Sequence, residues 1–378
     1  MTNVVGIIGE YNPFHNGHKY HLEKSKQEAK ADYSIAVISG NFVQRGNVSL
    51  INKWDKASMA LANGIDLVIE LPTIYSISSA ENFAYGAVKI LNSLNVVDYI
   101  SFGAESCDLE VLEKFADILY KEPTEYVSLL KHELSMGLAY PKARENALLM
   151  YLNNIRKYAN VLSNPNNILA IEYLKALKKL KSPIKPIAIK RINVGYNDLG
   201  NGIPYSCPHS PIIASATAIR EMIKSNKPAG MSKLMPANSY RILYNSILKG
   251  HYVKDLSNFE KEILYTLRKM SIKEIANLPD VSEGLENSIK NAANSCNTLD
   301  EFMNIIKTKR YTATRIQRIL VYALLGITKS DMKDSFKTPP YIRVLGFNNK
   351  GKDLISVLSH SNPSLNIITS VKKYIDSN

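Results

Sequence analysis

His15 and His18 stand three residues apart with Gly17 between them, just beyond an apolar run, Val4-Val5-Gly6-Ile7-Ile8. At the start of a helix, side chains with that spacing lie on one face and reach a common ligand. The first four N–H groups of a helix lack partners within it, and the helix dipole places partial positive charge there. An anion such as a phosphate binds at that end with little further help. Gly17 lets a nucleotide approach the backbone closely. The imidazoles, as N–H donors or as imidazolium, suit the stabilisation of charge developing on phosphate oxygens. A histidine near its ordinary pKa supplies such a donor at neutral pH. The plain structural alternative is a pair of surface histidines in an ordinary βα turn. Pro13, Asn16 and Gly17 are all placed consistently with phosphate handling instead.

These residues need elements to position them. Val4 to Gly9, Tyr33 to Ser39, Leu67 to Leu71, Tyr99 to Phe102 and Ile184 to Arg191 read as strands. Between them His18 to Ala31, Lys53 to Asn63, Ser79 to Leu94 and Leu109 to Tyr120 read as helices. Strands rich in Val and Ile separated by helices imply an α/β fold with a Rossmann-like, doubly wound parallel sheet. Ligands of such sheets bind beyond the carboxyl ends of the strands. His15 follows the first strand, Ser39-Gly40-Asn41 ends the second, and Gly103 follows Tyr99 to Phe102. Three segments far apart in sequence can therefore converge on one nucleotide. Lys131 to Leu152 and Asn167 to Leu180 also read as helices, and Asn193 to Ile212 is a loop rich in Gly, Pro and Ser. Ser215-Ala216-Thr217 leads into a helix over Ala218 to Ser225. From about Pro228 helical segments dominate: Ser239 to Leu248, Phe259 to Met270, Glu283 to Ser295, Leu299 to Lys307 and Arg315 to Leu325. Strand signals are few before Tyr341. The expected division is a nucleotide-binding catalytic domain at 1–230 and a mainly helical C-terminal domain at 231–378, with the boundary near Pro228–Ser232.

A second anion site is suggested by Ser215-x-Thr217-x-x-Arg220, where a hydroxyl caps the helix and Arg220, one turn in, faces the same phosphate. An ordinary serine or threonine cap explains the pattern equally well. Gln44-Arg45-Gly46 reads as a surface loop, with a role near a small substrate left unassigned. Glu70, inside an apolar run, reads as a buried, partnered carboxylate. Lys307 to Arg318 sets Lys307, Lys309, Arg310, Arg315 and Arg318 around Tyr311. Basic residues with an interleaved aromatic suit phosphate contact plus base stacking, against the alternative of a solvated helix face. Arg343 is a further candidate for that surface.

Composition narrows the class. With 378 residues the chain is long for one core, and two or three domains are expected. No apolar run reaches bilayer-spanning length, and the start lacks a signal-peptide layout, so a cytoplasmic location and no membrane contact are expected. Cys107, Cys207 and Cys296 are far apart and none sits in a C-x-x-C, which fits a reducing compartment and indicates neither a zinc nor a redox motif. The formal charge is +13, and from Met231 onward 22 Lys and Arg face 13 Asp and Glu, so most of the surplus lies in the last part. A basic excess attracts polyanions without naming them.

His-x-Gly-His is the signature of adenylyl-transferring enzymes, and longer strings narrow the match. They are Glu10 to His18, Ser39 to Gly46, Asp66 to Pro72, Phe102 to Glu105, Pro165 to Leu169, Ala214 to Arg220 and Lys309 to Arg315. On these the chain closely resembles the tRNA(Met) cytidine acetate ligase family over nearly its whole length, with Asn378 somewhat earlier than that family's usual end. The resemblance implies a nucleotidyltransferase-type fold and an ATP-dependent ligase that makes acetyl-adenylate. It implies transfer of acetyl to N4 of the wobble cytidine of elongator tRNA(Met), with acetate, ATP and the tRNA anticodon region as partners. It implies catalysis by His15 and His18. It implies that Ile8, Gly9, Glu10, Tyr11, Asn12, Pro13, Phe14, His15, Asn16, Gly17, His18, Lys19, Tyr20 and His21 surround ATP, completed by Gly103, Asn166 and Arg191. Ser215, Thr217 and Arg220 would meet its phosphates, and Lys309, Arg310, Arg315 and Arg318 would bind tRNA. On their own, Gly103 reads as a strand-end turn, Asn166 as a helix cap, and Arg191 as a solvated strand-end cation. Mg²⁺ is expected to accompany ATP, with no metal held by the protein. Two rivals remain: an adenylyltransferase acting on a small phosphorylated metabolite, and a non-catalytic RNA-binding protein.

Overall fold

Side chains of β2 (Tyr33–Ser39) alternate between two cores, because successive residues of a strand point to opposite faces. The computed structural model describes residues 2–153, 158, 161–192, 212–225, 230–282, 284–308 and 311–372. Ile35 and Val37 join one core with helices Ala80–Ser93, Leu109–Lys121 and Pro165–Lys179. Ala36 and Ile38 join the other with helices Asn16–Ala29, Lys53–Ala62 and Ala216–Lys224. Both faces of the strand are covered, which is why it reads as a continuous apolar run. Each buried Ile or Val on it contributes about 1.5–3 kcal/mol relative to exposure.

The other strands are β1 (Val4–Gly9), the short hairpin β3 (Phe42–Val43) and β4 (Asn47–Val48), β5 (Leu67–Leu71), β6 (Tyr99–Ala104), β7 (Lys185–Lys190), β8 (Tyr341–Phe347) and β9 (Asn366–Ile368). The seven-stranded sheet runs β7-β6-β1-β2-β5-β8-β9. β1 pairs in parallel with both β2 and β6. From β1 the chain builds outward through β2 to β5, then returns to place β6 on the other side. The strand order therefore reverses at β1, and a crevice opens beyond the carboxyl ends of β1 and β6.

The expected doubly wound parallel architecture is present, with three local differences. The single helix anticipated over Lys131–Leu152 is two, Thr124–Ser135 and Tyr140–Tyr151. Gly137 sits at φ 78° between them, and Pro141 opens the second, where a missing N–H is tolerated. The first helix starts at Asn16, with His15 as its cap, earlier than His18. Residues beyond 231 also serve more than one core. Met231, Leu234 and Leu243 pack with Ile7 and Ile38. Leu256 through Ala323 supply a helical core of their own, closed by Val48 and Ile77. The chain then returns to the sheet, β8 pairing antiparallel with β5. Among the described residues no helix is long and apolar enough to cross a membrane.

Helix Asn349–Ser361 seals that return. Asn348 donates its backbone N–H to the Asp66 carbonyl at 3.0 Å and its Nδ2 to Asp66 Oδ1 at 2.9 Å. A Cβ added at Gly351 would overlap the same carbonyl oxygen. Gly351→Ala should therefore lower the unfolding free energy by about 1–3 kcal/mol, the usual cost of overpacking. Urea denaturation checks this; an unchanged midpoint would mean that the helix does not sit on β5.

Candidate active site

The loop after β1 is shaped by buried side chains. Tyr11 adopts φ 48° and the Asn12–Pro13 bond is cis. Tyr11 and Phe14 are buried edge to face at 4.8 Å. Asn12 Oδ1 accepts the Leu50 N–H at 2.7 Å, and the Asn12 carbonyl accepts Arg220 Nη1–H at 2.7 Å. Asn16 Nδ2 donates to the carbonyls of Ile212 and Lys233, both at 2.9 Å. These residues give the loop its form. Ile8 and Gly9 end the strand, and a Cβ at Gly9 would lie 2.9 Å from the Tyr11 ring. Tyr20 is half-buried on the first helix, and Lys19 is exposed with Glu23 at 3.9 Å.

The two motif histidines cap that helix together. His15 Nδ1 accepts the Gly17 N–H at 3.0 Å, and His18 Nδ1 accepts the His15 N–H at 3.2 Å. Two of the orphan N–H groups are thereby satisfied by imidazole, in a reciprocal cap of the kind serine and glutamate form elsewhere. The rings lie 3.8 Å apart at 31°. A ring that accepts at Nδ1 carries its proton on Nε2 when neutral. Each histidine therefore presents an Nε2–H donor on the side away from the helix backbone. His21 follows one turn later, with Nε2 3.2 Å from Ser101 Oγ, which in turn lies 2.7 Å from Ser25 Oγ.

Of the two forms anticipated, neutral N–H donor and imidazolium, this environment favours the first. Burial, then the charges of Arg191 and Arg220, pull His15 down to about 3. Burial, His15 and Arg191 push His18 well below its ordinary value, and burial and Arg191 take His21 to about 4. The donors are neutral imidazoles, and the positive charge comes from the arginines beside them.

Arg191 lies next to Gly103: its Cγ would be 3.2 Å from a Cβ there. Asn166 differs from the expected cap. The cap position is Asn164, and Asn166 stands inside helix Pro165–Lys179, donating Nδ2 to Glu105 Oε1. Glu105 Oε2 accepts the Asn167 N–H at 3.0 Å, so a carboxylate from the loop after β6 satisfies this helix start. Asn167 answers by accepting the N–H groups of Glu105 and Ser106, each at 3.0 Å. Ser215 Oγ caps helix Ala216–Lys224 by accepting the Ala218 N–H at 3.1 Å. Arg220 Nη2 donates to Thr217 Oγ1 at 2.9 Å while Nη1 holds the Asn12 carbonyl. The second candidate segment thus meets the first through one guanidinium.

Sequence reasoning missed Lys56. It is fully buried, donates Nζ–H to the Gly40 carbonyl at 3.0 Å, and feels both Glu10 and Glu70. Burial draws its amine down to about 7, against the raising effect of those carboxylates. Burial raises Glu10, whose Oε1 accepts the Gln44 N–H at 2.7 Å. The available signal was a lysine on the apolar stripe of Ala57, Met59 and Ala60. Glu70 is the partnered carboxylate anticipated, held by Lys53 at 2.8 Å and Arg343 at 3.2 Å.

The basic cluster is less free than its sequence suggests. Lys309 and Arg310 lie outside the described residues. Arg315 donates Nε–H to the Asp280 carbonyl at 2.9 Å and Nη2–H to Ser282 at 2.8 Å, with its guanidinium 5.2 Å from the Tyr311 ring. Arg318 pairs with the Asp280 carboxylate at 2.6 Å. The loop Gln44-Arg45-Gly46 docks on helix Ala313–Leu325, since a Cβ at Gly46 would overlap the Arg318 backbone nitrogen.

The HIGH nucleotidyl transferase family model matches residues 2–378. The chain is 47% identical over 371 residues to the tRNA(Met) cytidine acetate ligase of Thermoanaerobacter sp. (strain X514), covering 98% of this chain and 89% of that one. This chain belongs to the tRNA(Met) cytidine acetate ligase family. The ligase of the same name from Acetivibrio thermocellus is 45% identical over 380 residues, covering 99% of this chain and 89% of that one. Thermotoga maritima TmcAL bound with alpha-thio ATP superposes at a TM-score of 0.90 with 34% identity, over 99% of this chain and 87% of that chain. In this ligase family member the paired histidines therefore sit in a nucleotide-binding fold of the expected type.

The histidines give a pH signature. In the unfolded chain they take up protons near 6.5, whereas His15 and His21 in the fold do so only near 3 and 4. Between those limits the unfolded state binds more protons, so stability rises with pH up to about 6.5 and then levels. Chemical denaturation of the ligand-free protein should give lower stability at about pH 5 than at about pH 7, with a shallower slope in His15→Gln. Greater stability at the acid end would contradict the assignment.

Proposed function

We propose that the protein activates acetate with ATP and transfers the acetyl group to a cytidine of tRNA(Met). In the first step an acetate oxygen attacks the α-phosphorus, a P–O bond forms, and the bond to the bridging oxygen breaks to release pyrophosphate. Both reactants are anions, so the protein's work is positioning and charge stabilisation. The Nε2–H groups of His15 and His18 suit the α-phosphate oxygens, and Arg191 and Arg220 supply positive charge nearby. In the second step the exocyclic N4 of cytidine attacks the acetyl carbonyl, AMP leaves, and the nitrogen loses a proton to give N4-acetylcytidine. The wobble cytidine of elongator tRNA(Met) is the target in this reading, which puts the protein beside tRNA in the cytoplasm.

The observation that carries the proposal is the reciprocal histidine cap at the strand-order reversal, which sets two neutral donors where a nucleotide α-phosphate would lie. ATP would be surrounded by Ile8 to His21, with Tyr11, Phe14 and Asn16 shaping the loop, and by Gly103, Asn166, Arg191, Ser215, Thr217 and Arg220. Mg²⁺ enters as the ion carried on the ATP phosphates. Among the described residues no group of three or more His, Cys, Asp or Glu is placed to hold a metal. Lys309 and Arg310 are proposed to meet tRNA, with Arg315 and Arg318 ordering that face through Asp280.

Exchange of labelled pyrophosphate into ATP should depend on acetate, and addition of unmodified tRNA should yield acetylcytidine on nucleoside mass analysis. His15→Ala and His18→Ala should each lower the exchange by about 100-fold or more, the scale of losing one preorganised donor. Exchange without acetate, or a loss under about twofold in both variants, would contradict the reading.

A further inference from the structure

We propose that Trp54, backed by Lys53 and Arg343, is a stacking platform for an unpaired base of the RNA substrate, next to the reacting cytidine. The proposal rests on the tRNA reading above and adds a contact to it. Trp54 is the sole tryptophan of the chain and stands 49% exposed in the first turn of helix Lys53–Ala62. The Lys53 ammonium lies 5.6 Å and the Arg343 guanidinium 5.8 Å from its ring. Both cations also pair with the Glu70 carboxylate, at 2.8 and 3.2 Å. Sharing one carboxylate holds them too close together to stand on opposite faces of the indole. One face is therefore backed by ordered charge, and the exposed area belongs to the rest of the ring. Tyr341, 41% exposed, belongs to the same group, as Glu70 and Arg343 both act on its phenol.

The group lies at the ligand end of the sheet. Gly40, which follows β2, leaves room for Glu70 Oε1, 2.5 Å from where its Cβ would be. Lys56, bound to the Gly40 carbonyl, links this position to Glu10 at the end of β1. Two strand spacings separate β1 from β5, on the order of 10 Å. That is too far for the base on Trp54 to be the cytidine whose N4 attacks the acetyl carbonyl of the adenylate, and suits its neighbour. Single-stranded bases stack on aromatic rings while Lys and Arg meet the backbone phosphates. Lys53 and Arg343 against Glu70 leave one net positive charge, which fits a phosphate. Glu70 holds the arginine fork in place before RNA arrives.

Having one tryptophan makes the test direct. Unmodified tRNA should quench the intrinsic indole fluorescence saturably, over the concentration range in which a gel shift reports binding. Heparin, a polyanion without bases, should bind without that quench. Trp54→Ala should raise the KM for tRNA in acetylation by about tenfold, while Trp54→Phe, which keeps a stacking ring, should stay within about threefold of the parent. Binding of tRNA with no quench, equal quenching by heparin, or an unchanged KM in Trp54→Ala overturns the platform and leaves the tRNA reading standing. A parent protein that gives no gel shift with tRNA overturns the tRNA reading itself, and the platform with it.

Discussion

Two backbone N–H groups at the start of one helix are satisfied by imidazole nitrogens, and the rest of the site follows from that. Because His15 and His18 both accept at Nδ1, their rotamers, their tautomer and the direction of their remaining proton are set together. A serine cap would satisfy the helix equally well but would leave no donor beyond it. Here the cap and the proposed ligand contact are the same side chains. The arrangement also needs a stiff floor, which Tyr11, Phe14 and the buried Asn12 provide. Arg220 ties that floor to helix Ala216–Lys224.

Burial of this cluster separates two tasks that a surface histidine would combine. Neutral rings donate hydrogen bonds without carrying charge, and Arg191 and Arg220 supply the positive charge. Burial first, and then the charge of Arg191, holds the histidines unprotonated. On the other side of β1, Glu10, Lys56 and Glu70 form a second buried set around Gly40, with Lys53 and Arg343 paired to Glu70. A crevice with donors on one flank and paired charges on the other suits a reaction in which two anions must meet. It also places Trp54 and Arg343 one step farther out, where a polyanionic substrate would approach.

Much of this could be read from the sequence because it is local. The histidine spacing, the apolar strands buried on both faces and the Ser215 cap depend on neighbours within a few residues. So does the first turn of the helix they open. What could not be read depends on distant partners. Nothing near Tyr341–Phe347 says that it pairs antiparallel with Leu67–Leu71 rather than joining the helices before it. Asn166 looked like a cap because Pro165 precedes it, yet the capping carboxylate is Glu105, far back in the chain. Arg318 read as a free cation until Asp280 came beside it. Lys56 was hidden by the opposite error, a charge lost within an apolar stripe. The assumption that the histidines keep their ordinary pKa failed for the same reason, since burial and the approach of Arg191 are tertiary facts.

The tautomer of the two capping rings is open to direct observation by ¹⁵N NMR of histidine-labelled protein at neutral pH, with His15→Gln and His18→Gln used to assign the signals. Both residues are expected to be neutral and protonated at Nε2, with no titration between about pH 6 and 8. Rings protonated at Nδ1, or imidazolium at neutral pH, would contradict it.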